Sequence, residues 1–184
     1  MLPGHGVSSV NLPEIIQDSS GNDYAEGLKE RMFTLAASLS SPTIVEIGTR
    51  TGNSLRIWAK AIEGHSGQLY SIDAAWEDLS PEGMPWNIPA PCVLIISSSH
   101  WVHWSRPIDL LYIDGEHTKD SCQRDLDKFW PWVKPQGHTL VHDITNLGHY
   151  QELIPVVTQF CRAHSMTFEV WPNQCGMAHF QKPS

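Results

Sequence analysis

Carboxylate and imidazole side chains follow two apolar runs of the sequence, at the places where those runs end. Asp114 ends the first run and is followed by Glu116 and His117. Asp143 ends the second run directly after His142. Two carboxylates with nearby imidazoles could hold one hard divalent cation, such as Mg²⁺ or Mn²⁺. Such a cation would lower the pKa of a substrate hydroxyl and orient it. A positioned base such as Glu116 could instead remove the proton of that hydroxyl. The alternative is that Asp114 only hydrogen-bonds a ligand or the backbone, and that His117 caps the next helix.

A glycine-containing segment at residues 48–54 follows an earlier apolar run. Gly48 and Gly52 are placed where a backbone turns tightly and approaches a ligand closely. Their GxxxG spacing differs from the GxGxxG of a dinucleotide site, so the ligand need not be a pyrophosphate. Glu46 could attract a polar, cationic ligand, and Asp73, which ends the next run, is placed to hold two ribose hydroxyls. The alternative is that the glycines only shape a strand-to-helix turn.

Short apolar runs alternate with helical periodicity, and these elements must position the side chains above. The runs predict strands at 43–47, 69–73, 93–97, 108–114 and 138–143. The periodicity predicts helices over roughly 24–40, 55–62, 122–133 and 155–164, with a turn at 135–137. Two final runs, 167–171 and 177–181, predict a hairpin. This alternation indicates an α/β fold with a doubly wound, mostly parallel sheet, helices on both faces and a C-terminal antiparallel hairpin.

Length and composition limit the classes of protein to which the chain can belong. The 184 residues predict one domain at 23–184, preceded by a flexible arm at 1–22. A net charge of −8 disfavours a nucleic-acid partner, because phosphate backbones are also negative. No apolar stretch reaches the ~20 residues that cross a bilayer, and neither a secretory pattern nor a CxxC pair is found. We therefore expect a cytoplasmic protein with reduced thiols and no membrane partner.

The sequence Glu-Ile-Gly-Thr-x-Thr-Gly-x-Ser at residues 46–54 resembles the cofactor motif of class I S-adenosylmethionine-dependent O-methyltransferases. The resemblance covers roughly residues 24–181. It is strongest to the metal-dependent caffeoyl-CoA and catechol type, and to the small bacterial branch that includes enzymes of cephalosporin and macrolide biosynthesis. It implies a Rossmann-like sheet of seven strands, the last of them antiparallel, and S-adenosyl-L-methionine as the cofactor.

The resemblance also implies which residues contact the cofactor. They lie in the loop after the first strand, at the ends of the second and fourth strands, and after the third strand: Glu46, Gly48, Thr49, Arg50, Thr51, Gly52, Ser54, Asp73, Ala74, Ser98, Ser99 and Asp114. Asp73 corresponds to the ribose-binding acid of the family. Ser98 and Ser99 fall where the family contacts the adenine, although the family often has an acidic residue there.

For the metal and the base, the resemblance is incomplete. Asp114 and Asp143 match the two aspartate ligands of the metal-dependent enzymes. The third ligand position falls on Ile144, which cannot coordinate, so His142 or His117 could substitute. The catalytic lysine of the catechol type corresponds to His117, which could act as a general base near neutral pH. The candidate catalytic residues are therefore Asp114, Glu116 and His117.

These features together predict methyl transfer to a hydroxyl of a small molecule, assisted by a divalent metal. One alternative is a nicotinamide-dependent oxidoreductase, which the missing GxGxxG disfavours. Another is a cofactor-binding protein without methyl transfer activity, which Ile144 favours. Trp76 and Trp86 lie in a proline-rich segment at 74–91, which could close over the acceptor as a lid or contact a second copy in a homodimer.

Overall fold

Seven strands form one sheet in the computed structural model, which describes residues 27–74, 92–145, 152–172 and 175–184. The strands are β1 (Thr43–Ile47), β2 (Gln68–Asp73), β3 (Cys92–Ile96), β4 (Ile108–Ile113), β5 (Val133–His142), β6 (Glu169–Trp171) and β7 (Met177–Gln181). Their order across the sheet is β3-β2-β1-β4-β5-β7-β6. The first five strands are parallel, and β7 is antiparallel to both of its neighbours. The predicted sheet and its C-terminal hairpin are therefore confirmed.

Helices cover both faces of this sheet. They are α1 (Leu28–Ser38), α2 (Asn53–Ala61), α3 (Lys119–Phe129) and α4 (Ile154–Ala163). On one face, α1 and α2 pack Met32 and Trp58 against alternate strand residues such as Ile44. On the other face, α3 and α4 pack Phe129 and Phe160 against the intervening strand residues. This alternation follows from the period of two in a strand, and it confirms the doubly wound arrangement.

The strand order reverses next to β1, which lies between β2 and β4. The chain leaves β1 through α2 to reach β2 on one side, and returns later to β4 on the other side. The connections therefore diverge at the carboxyl ends of these strands and leave a crevice there. In open α/β sheets, ligands bind in such a crevice.

The sequence predicts a turn at 135–137 before a fifth strand at 138–143, and the structure differs from this prediction. β5 begins at Val133 rather than at residue 138, so residues 135–137 lie inside a strand and are not a turn. Gln136 has a positive φ of 63°, and the register with β4 shifts here. The Gln136 N–H donates to the Lys182 carbonyl oxygen, and the Lys182 N–H donates to the Gly137 carbonyl oxygen. Pairing with the C-terminal residues thus holds this irregular stretch in the sheet as a bulge.

Two helix boundaries also differ from the prediction. α3 ends at Phe129, and a 3₁₀ turn at Trp130–Trp132 with Pro131 follows it, because proline cannot continue the backbone hydrogen bonding of a helix. α1 begins at Leu28, and the predicted start at residue 24 lies outside the described residues. The arm at 1–22 also lies outside them, as do Trp76 and Trp86.

Two further predictions from the sequence concern membrane-spanning helices and the state of the cysteines. Among the described residues, no helix is both long enough and apolar enough to span a bilayer. All four cysteines are free thiols, as expected from the absence of a CxxC pair.

Candidate functional site

The loop after β1 is shaped by a close approach between two backbones. Gly48 has a φ of 92°, and a Cβ atom at this residue would lie 2.1 Å from the carbonyl oxygen of Asp114. The Gly48 N–H donates to the Ile72 carbonyl oxygen at 2.9 Å, and the Asp114 N–H donates to the Ile47 carbonyl oxygen at 2.8 Å. The ends of β1, β2 and β4 are thereby held together, and only glycine fits at residue 48.

Asp73, the last residue of β2, anchors the same loop. Its Oδ2 atom accepts hydrogen bonds from the backbone N–H groups of Thr49 at 2.7 Å and Arg50 at 2.8 Å. Arg50 is in the left-handed region with a φ of 44°. Asp73, which the sequence predicts to bind the ribose, therefore also fixes the conformation of the loop after β1.

A cavity of about 470 Å³ opens at the carboxyl ends of β1, β2 and β4. This volume lies in the range of small-molecule sites. Nine of the sequence-predicted site residues line it: Gly48, Arg50, Asp73, Ala74, Ser98, Ser99, Asp114, Glu116 and His117. Eight more residues complete its lining: Ile47, Ile72, Ser97, His100, Gly115, Ser121, Arg124 and Asp125. The predicted cofactor and catalytic residues are thus largely brought together around one cavity.

The other predicted cofactor residues do not line this cavity. Thr49, Gly52 and Ser54 are buried and Thr51 is exposed. Glu46 is completely buried, and its Oε2 atom accepts a hydrogen bond from the Ser71 hydroxyl. Burial raises the pKa of Glu46 to about 7, although hydrogen bonds from Ser54 and Ser71 act in the opposite direction. Glu46 therefore contacts side chains of β2 and α2 and does not line the cavity.

The carboxyl ends of β4 and β5 bring two carboxylates and two imidazoles together. We call this group the Asp114 cluster, and its members are Asp114, His117, His142 and Asp143. Asp114 Oδ1 lies 3.1 Å from His142 Nδ1 and 3.3 Å from His117 Nε2. Asp143 Oδ1 lies 3.0 Å from His142 Nδ1, and Asp143 Oδ2 lies 3.0 Å from His117 Nε2. The Tyr112 hydroxyl donates to Asp114 Oδ2 at 2.8 Å. Each imidazole therefore bridges the same pair of carboxylates, as strand ends that are neighbours in the sheet allow.

The charges in this cluster stabilise one another. Burial alone would lower the pKa of His117, but its contacts with Asp114 and Asp143 raise it to about 9. The pKa of His142 is raised by the same two carboxylates, against the effect of burial. Burial would raise the pKa of Asp114, yet His142 and His117 hold it well below its usual range. His117 therefore carries its proton at neutral pH in this arrangement, and it donates to the carboxylates rather than accepting a proton.

The same cluster has a donor set that suits a divalent cation. Asp114, His117 and Asp143 each offer one ligand atom, and these atoms lie within 4.8 Å of one another. Two carboxylates and one imidazole are ligands that Mn²⁺, Fe²⁺ or Zn²⁺ accept. Ile144 is fully buried in the core and cannot contribute, whereas Asp143 has a positive φ of 52° that turns the chain at the strand end.

The prediction from sequence missed one acid, Asp125, which lies in α3 and lines the cavity. Its side chain is 2% exposed, and its Oδ1 atom accepts a hydrogen bond from the Ser99 hydroxyl at 2.6 Å. Burial raises the pKa of Asp125, although the hydrogen bond from Ser99 opposes this. The pattern that could have revealed it is its place among Cys122, Leu126 and Phe129, the apolar face of the helix. A carboxylate on a buried helix face requires a polar partner or a ligand.

Solved structures with the same fold belong to several methyltransferases. An S-adenosylmethionine-dependent O-methyltransferase from Thermotoga maritima superposes with a TM-score of 0.71 at 13% identity, over 93% of this chain and 70% of that one. The tomaymycin-synthesis O-methyltransferase TomG from Streptomyces achromogenes, solved with S-adenosylmethionine, gives 0.63 at 16% identity, over 85% and 79%. The N-methyltransferase NodS from Bradyrhizobium japonicum gives 0.60 at 15% identity, over 85% and 94%. At such identities the likeness shows the fold alone, and that fold serves both oxygen and nitrogen acceptors.

The sequence itself matches a family model over the segment that builds the site. The family is described as a methyltransferase domain, and the match runs from residue 45 to residue 144, more than half of the chain. This segment includes the loop after β1, Asp73, the cavity lining and the Asp114 cluster. The match supports a methyltransferase rather than a nicotinamide-dependent oxidoreductase. The chain belongs to this methyltransferase family.

Proposed function

We propose that this protein transfers the methyl group of S-adenosylmethionine to a hydroxyl of a small molecule, with a divalent cation at the Asp114 cluster. One observation carries the proposal. Asp73, Asp114 and His117 line the same cavity at the carboxyl edge of the sheet, beside the loop that begins at Gly48. A nucleoside held at Asp73 would thereby present its sulfonium group near the cluster.

The cavity suits a cofactor of this kind in size and charge. Its volume of about 470 Å³ falls within the range for ligands as large as a modified nucleoside. Asp114 and Glu116 lie in its wall, and negative groups favour a cationic sulfonium and amino group. The structural neighbour TomG was solved with S-adenosylmethionine, which supports the same cofactor here.

The residues of the cluster fit an ion that activates a hydroxyl. Asp114, Asp143 and His117 would hold the cation, which would displace the proton of His117, lower the pKa of the acceptor hydroxyl and orient that hydroxyl. A lone pair of the acceptor oxygen attacks the methyl carbon while the carbon–sulfur bond breaks, and the electron pair of that bond stays on sulfur. The proton of the hydroxyl passes to a base, and Glu116, exposed in the cavity wall, is our candidate. Positioning the two reactants supplies much of the remaining acceleration.

Calorimetric titration tests the cofactor and the metal separately. S-adenosylhomocysteine should bind the wild type, and Asp73→Asn should bind it at least about tenfold more weakly, since it loses a charged acceptor. Mn²⁺ should bind the wild type but not Asp143→Asn, whereas Asp127→Asn, an exposed substitution on α3, should behave like the wild type. Absence of any affinity for S-adenosylhomocysteine would overturn the proposed function. Cofactor binding without Mn²⁺ binding would overturn only the role of the metal.

A second candidate function is cofactor binding without methyl transfer. It is favoured by the buried Ile144, which occupies the position where related enzymes have a third oxygen ligand. The two candidates are distinguished by incubating the protein with S-adenosylmethionine carrying a labelled methyl group, Mn²⁺ and a panel of small hydroxyl compounds. Labelled product supports the enzyme, while cofactor binding with no product on any acceptor supports the binding protein.

A further inference from the structure

Two histidines on neighbouring strands face each other on the sheet, and neither of them lines the candidate cavity. His138 Nδ1 lies 3.0 Å from His179 Nε2, and the two rings stack with centroids 5.2 Å apart and an interplanar angle of 17°. In the pairing of β5 with β7, His179 lies opposite Leu140, two residues from His138, so both histidines lie on one face as diagonal neighbours. The two strands therefore hold two ring nitrogens directed at each other.

A carboxylate on the next strand orients one of these rings. Glu169 lies opposite His179 in the pairing of β6 with β7, and its Oε1 atom lies 2.7 Å from His179 Nδ1. The Trp171 indole N–H donates to the same oxygen at 2.7 Å, which holds the carboxylate in place. Because an ionised carboxylate only accepts, His179 carries its proton on Nδ1 and directs the lone pair of Nε2 towards His138. Histidines that bind metals commonly donate their other N–H to a carboxylate in this way.

The distance between the facing nitrogens matches the distance between two ligands of one ion. With metal–nitrogen bonds of about 2.0–2.1 Å, two nitrogens lie about 2.9 Å apart at a right angle and about 3.3 Å apart at a tetrahedral angle. The observed 3.0 Å lies between these values. Without an ion, His138 donates from Nδ1 to His179 Nε2. Transfer of that proton to Nε2 of His138 frees both lone pairs with no net loss of a proton.

The surroundings of the two histidines allow an ion to enter. Burial, together with the neighbouring His179, lowers the pKa of His138, so its ring is neutral at physiological pH, as a metal ligand must be. The His179 side chain is 15% exposed and His138 is half-buried, so water can reach the pair and complete the coordination of an ion. His138 precedes His142 by four residues on β5, or about 13 Å. An ion at the histidine pair would therefore be separate from one at the Asp114 cluster.

We propose that His138 and His179 bind one divalent ion of the kind that prefers imidazole, such as Ni²⁺, Cu²⁺ or Zn²⁺, and that Glu169 orients His179 for this role. Mg²⁺ and Ca²⁺ do not suit this pair, because they prefer oxygen ligands. The ion joins β5 to β7 and thereby stabilises the antiparallel part of the sheet. This site goes beyond the proposed function and does not depend on it.

Calorimetry with Ni²⁺ tests the site in Asp143→Asn, in which the Asp114 cluster has lost one ligand. This protein should bind an equivalent of Ni²⁺ at the histidine pair. Addition of His138→Gln should weaken the binding of that equivalent by at least about tenfold, and addition of Glu169→Gln should weaken it by roughly 10-fold, since His179 loses its orienting carboxylate. The matched control is His65→Gln, which replaces an exposed histidine after α2 and should leave the binding unchanged.

Equal Ni²⁺ binding by the His138→Gln and His65→Gln proteins would mean that the histidine pair is only a structural contact, and the proposal would be wrong. A second measurement uses the wild type, so it does not depend on any variant folding. Two equivalents of paramagnetic Cu²⁺ should broaden the ring C–H resonances of His138 and His179 in NMR spectra and leave those of His65 sharp. Sharp His138 and His179 resonances would overturn the proposal. Neither measurement involves S-adenosylmethionine, so these outcomes are distinct from failure of the proposed function.

Discussion

Gly48 and Asp114 approach so closely that a Cβ atom at residue 48 would lie 2.1 Å from the Asp114 carbonyl oxygen. The two residues lie at the ends of neighbouring parallel strands. Their contact involves main-chain atoms on both sides, so neither side chain can move to relieve a clash. The bend after β1 and the acid at the end of β4 are therefore one structural unit.

This contact predicts a large difference between two glycine substitutions. Gly48→Ala should lower the free energy of unfolding by more than about 3 kcal/mol, since the new methyl group overlaps a carbonyl and the φ of 92° is strained for alanine. Gly64→Ala has a similar φ of 79° but no atom within 4 Å of its Cβ position, so it should cost only about 1 kcal/mol. Urea unfolding of both variants measures the difference. Equal losses would mean that the backbone conformation matters and the close approach does not.

The buried carboxyl of Glu46 predicts a pH-dependent contribution to stability. Its pKa is raised from 4.5 to about 7 in the folded state. Between these values the folded protein holds a proton that the unfolded chain has lost, so stability falls as the pH rises through this window. Glu46→Gln stays neutral, and its free energy of unfolding relative to the wild type should therefore increase by up to about 3 kcal/mol between pH 4.5 and pH 8.

The measurement is urea unfolding at several pH values, with Glu63→Gln as the control. Glu63 is exposed and pairs with Lys60 at the surface, so its substitution should leave the pH profile close to that of the wild type. A Glu46→Gln profile parallel to that of the wild type would show that Glu46 does not titrate in this window.

The sheet was predictable from the sequence because its patterns are local. Runs such as Thr43–Ile47 are short, apolar and rich in β-branched residues, and each lies beside turn-forming residues. The bulge within β5 was not predictable in the same way, since Gln136 and Gly137 are held by backbone hydrogen bonds to Lys182, a residue far away in sequence. Proline and glycine there favour a turn locally, and tertiary pairing overrides that preference.

The candidate site was predictable where residues lie at strand ends or in the loops directly after them. Asp73, Asp114 and Asp143 follow apolar runs, so the topology alone brings them to one edge. Asp125 lies in the middle of α3, and its approach to Ser99 depends on how the helix packs on the sheet. The protonation of His117 likewise depends on two carboxylates from different strands, which no spacing in the sequence reveals.

The Tyr112 hydroxyl predicts an effect on metal binding from outside the ligand set. Tyr112 is fully buried, its ring packs edge-on against Trp58 at 5.4 Å, and its hydroxyl donates to Asp114 Oδ2. Tyr112→Phe keeps the ring but frees this oxygen, so Asp114 loses the bond that orients it. Loss of such an orienting bond weakens metal affinity by roughly 10–100-fold.

Titration with Mn²⁺ measures this effect. Tyr70→Phe is the control, since the Tyr70 hydroxyl contacts Arg106 and not the Asp114 cluster. The prediction fails if both variants bind Mn²⁺ as the wild type does, or if both lose affinity equally.

The last prediction concerns Ile144, which occupies the position of the third metal ligand in the metal-dependent enzymes that the sequence resembles. It tests whether an oxygen ligand at this position can reach the metal site. Ile144 is fully buried in the core cluster that also contains Val141 and Phe160, and its backbone N–H donates to the Gly176 carbonyl oxygen. Ile144→Asn removes apolar contacts and buries an amide, so it should lower the free energy of unfolding by about 3–5 kcal/mol. Ile144→Val, which keeps the environment apolar, should cost about 1 kcal/mol.

The side chain at residue 144 faces the core and not the Asp114 cluster, so we expect the Mn²⁺ affinity of folded Ile144→Asn to stay at or below that of the wild type. Urea unfolding and Mn²⁺ titration of the same preparation measure both quantities. A variant that is as stable as the wild type and binds Mn²⁺ more tightly would show that residue 144 can turn into the cluster. In that case His117 would no longer be needed as the third ligand, and the metal site would be that of the metal-dependent enzymes the sequence resembles.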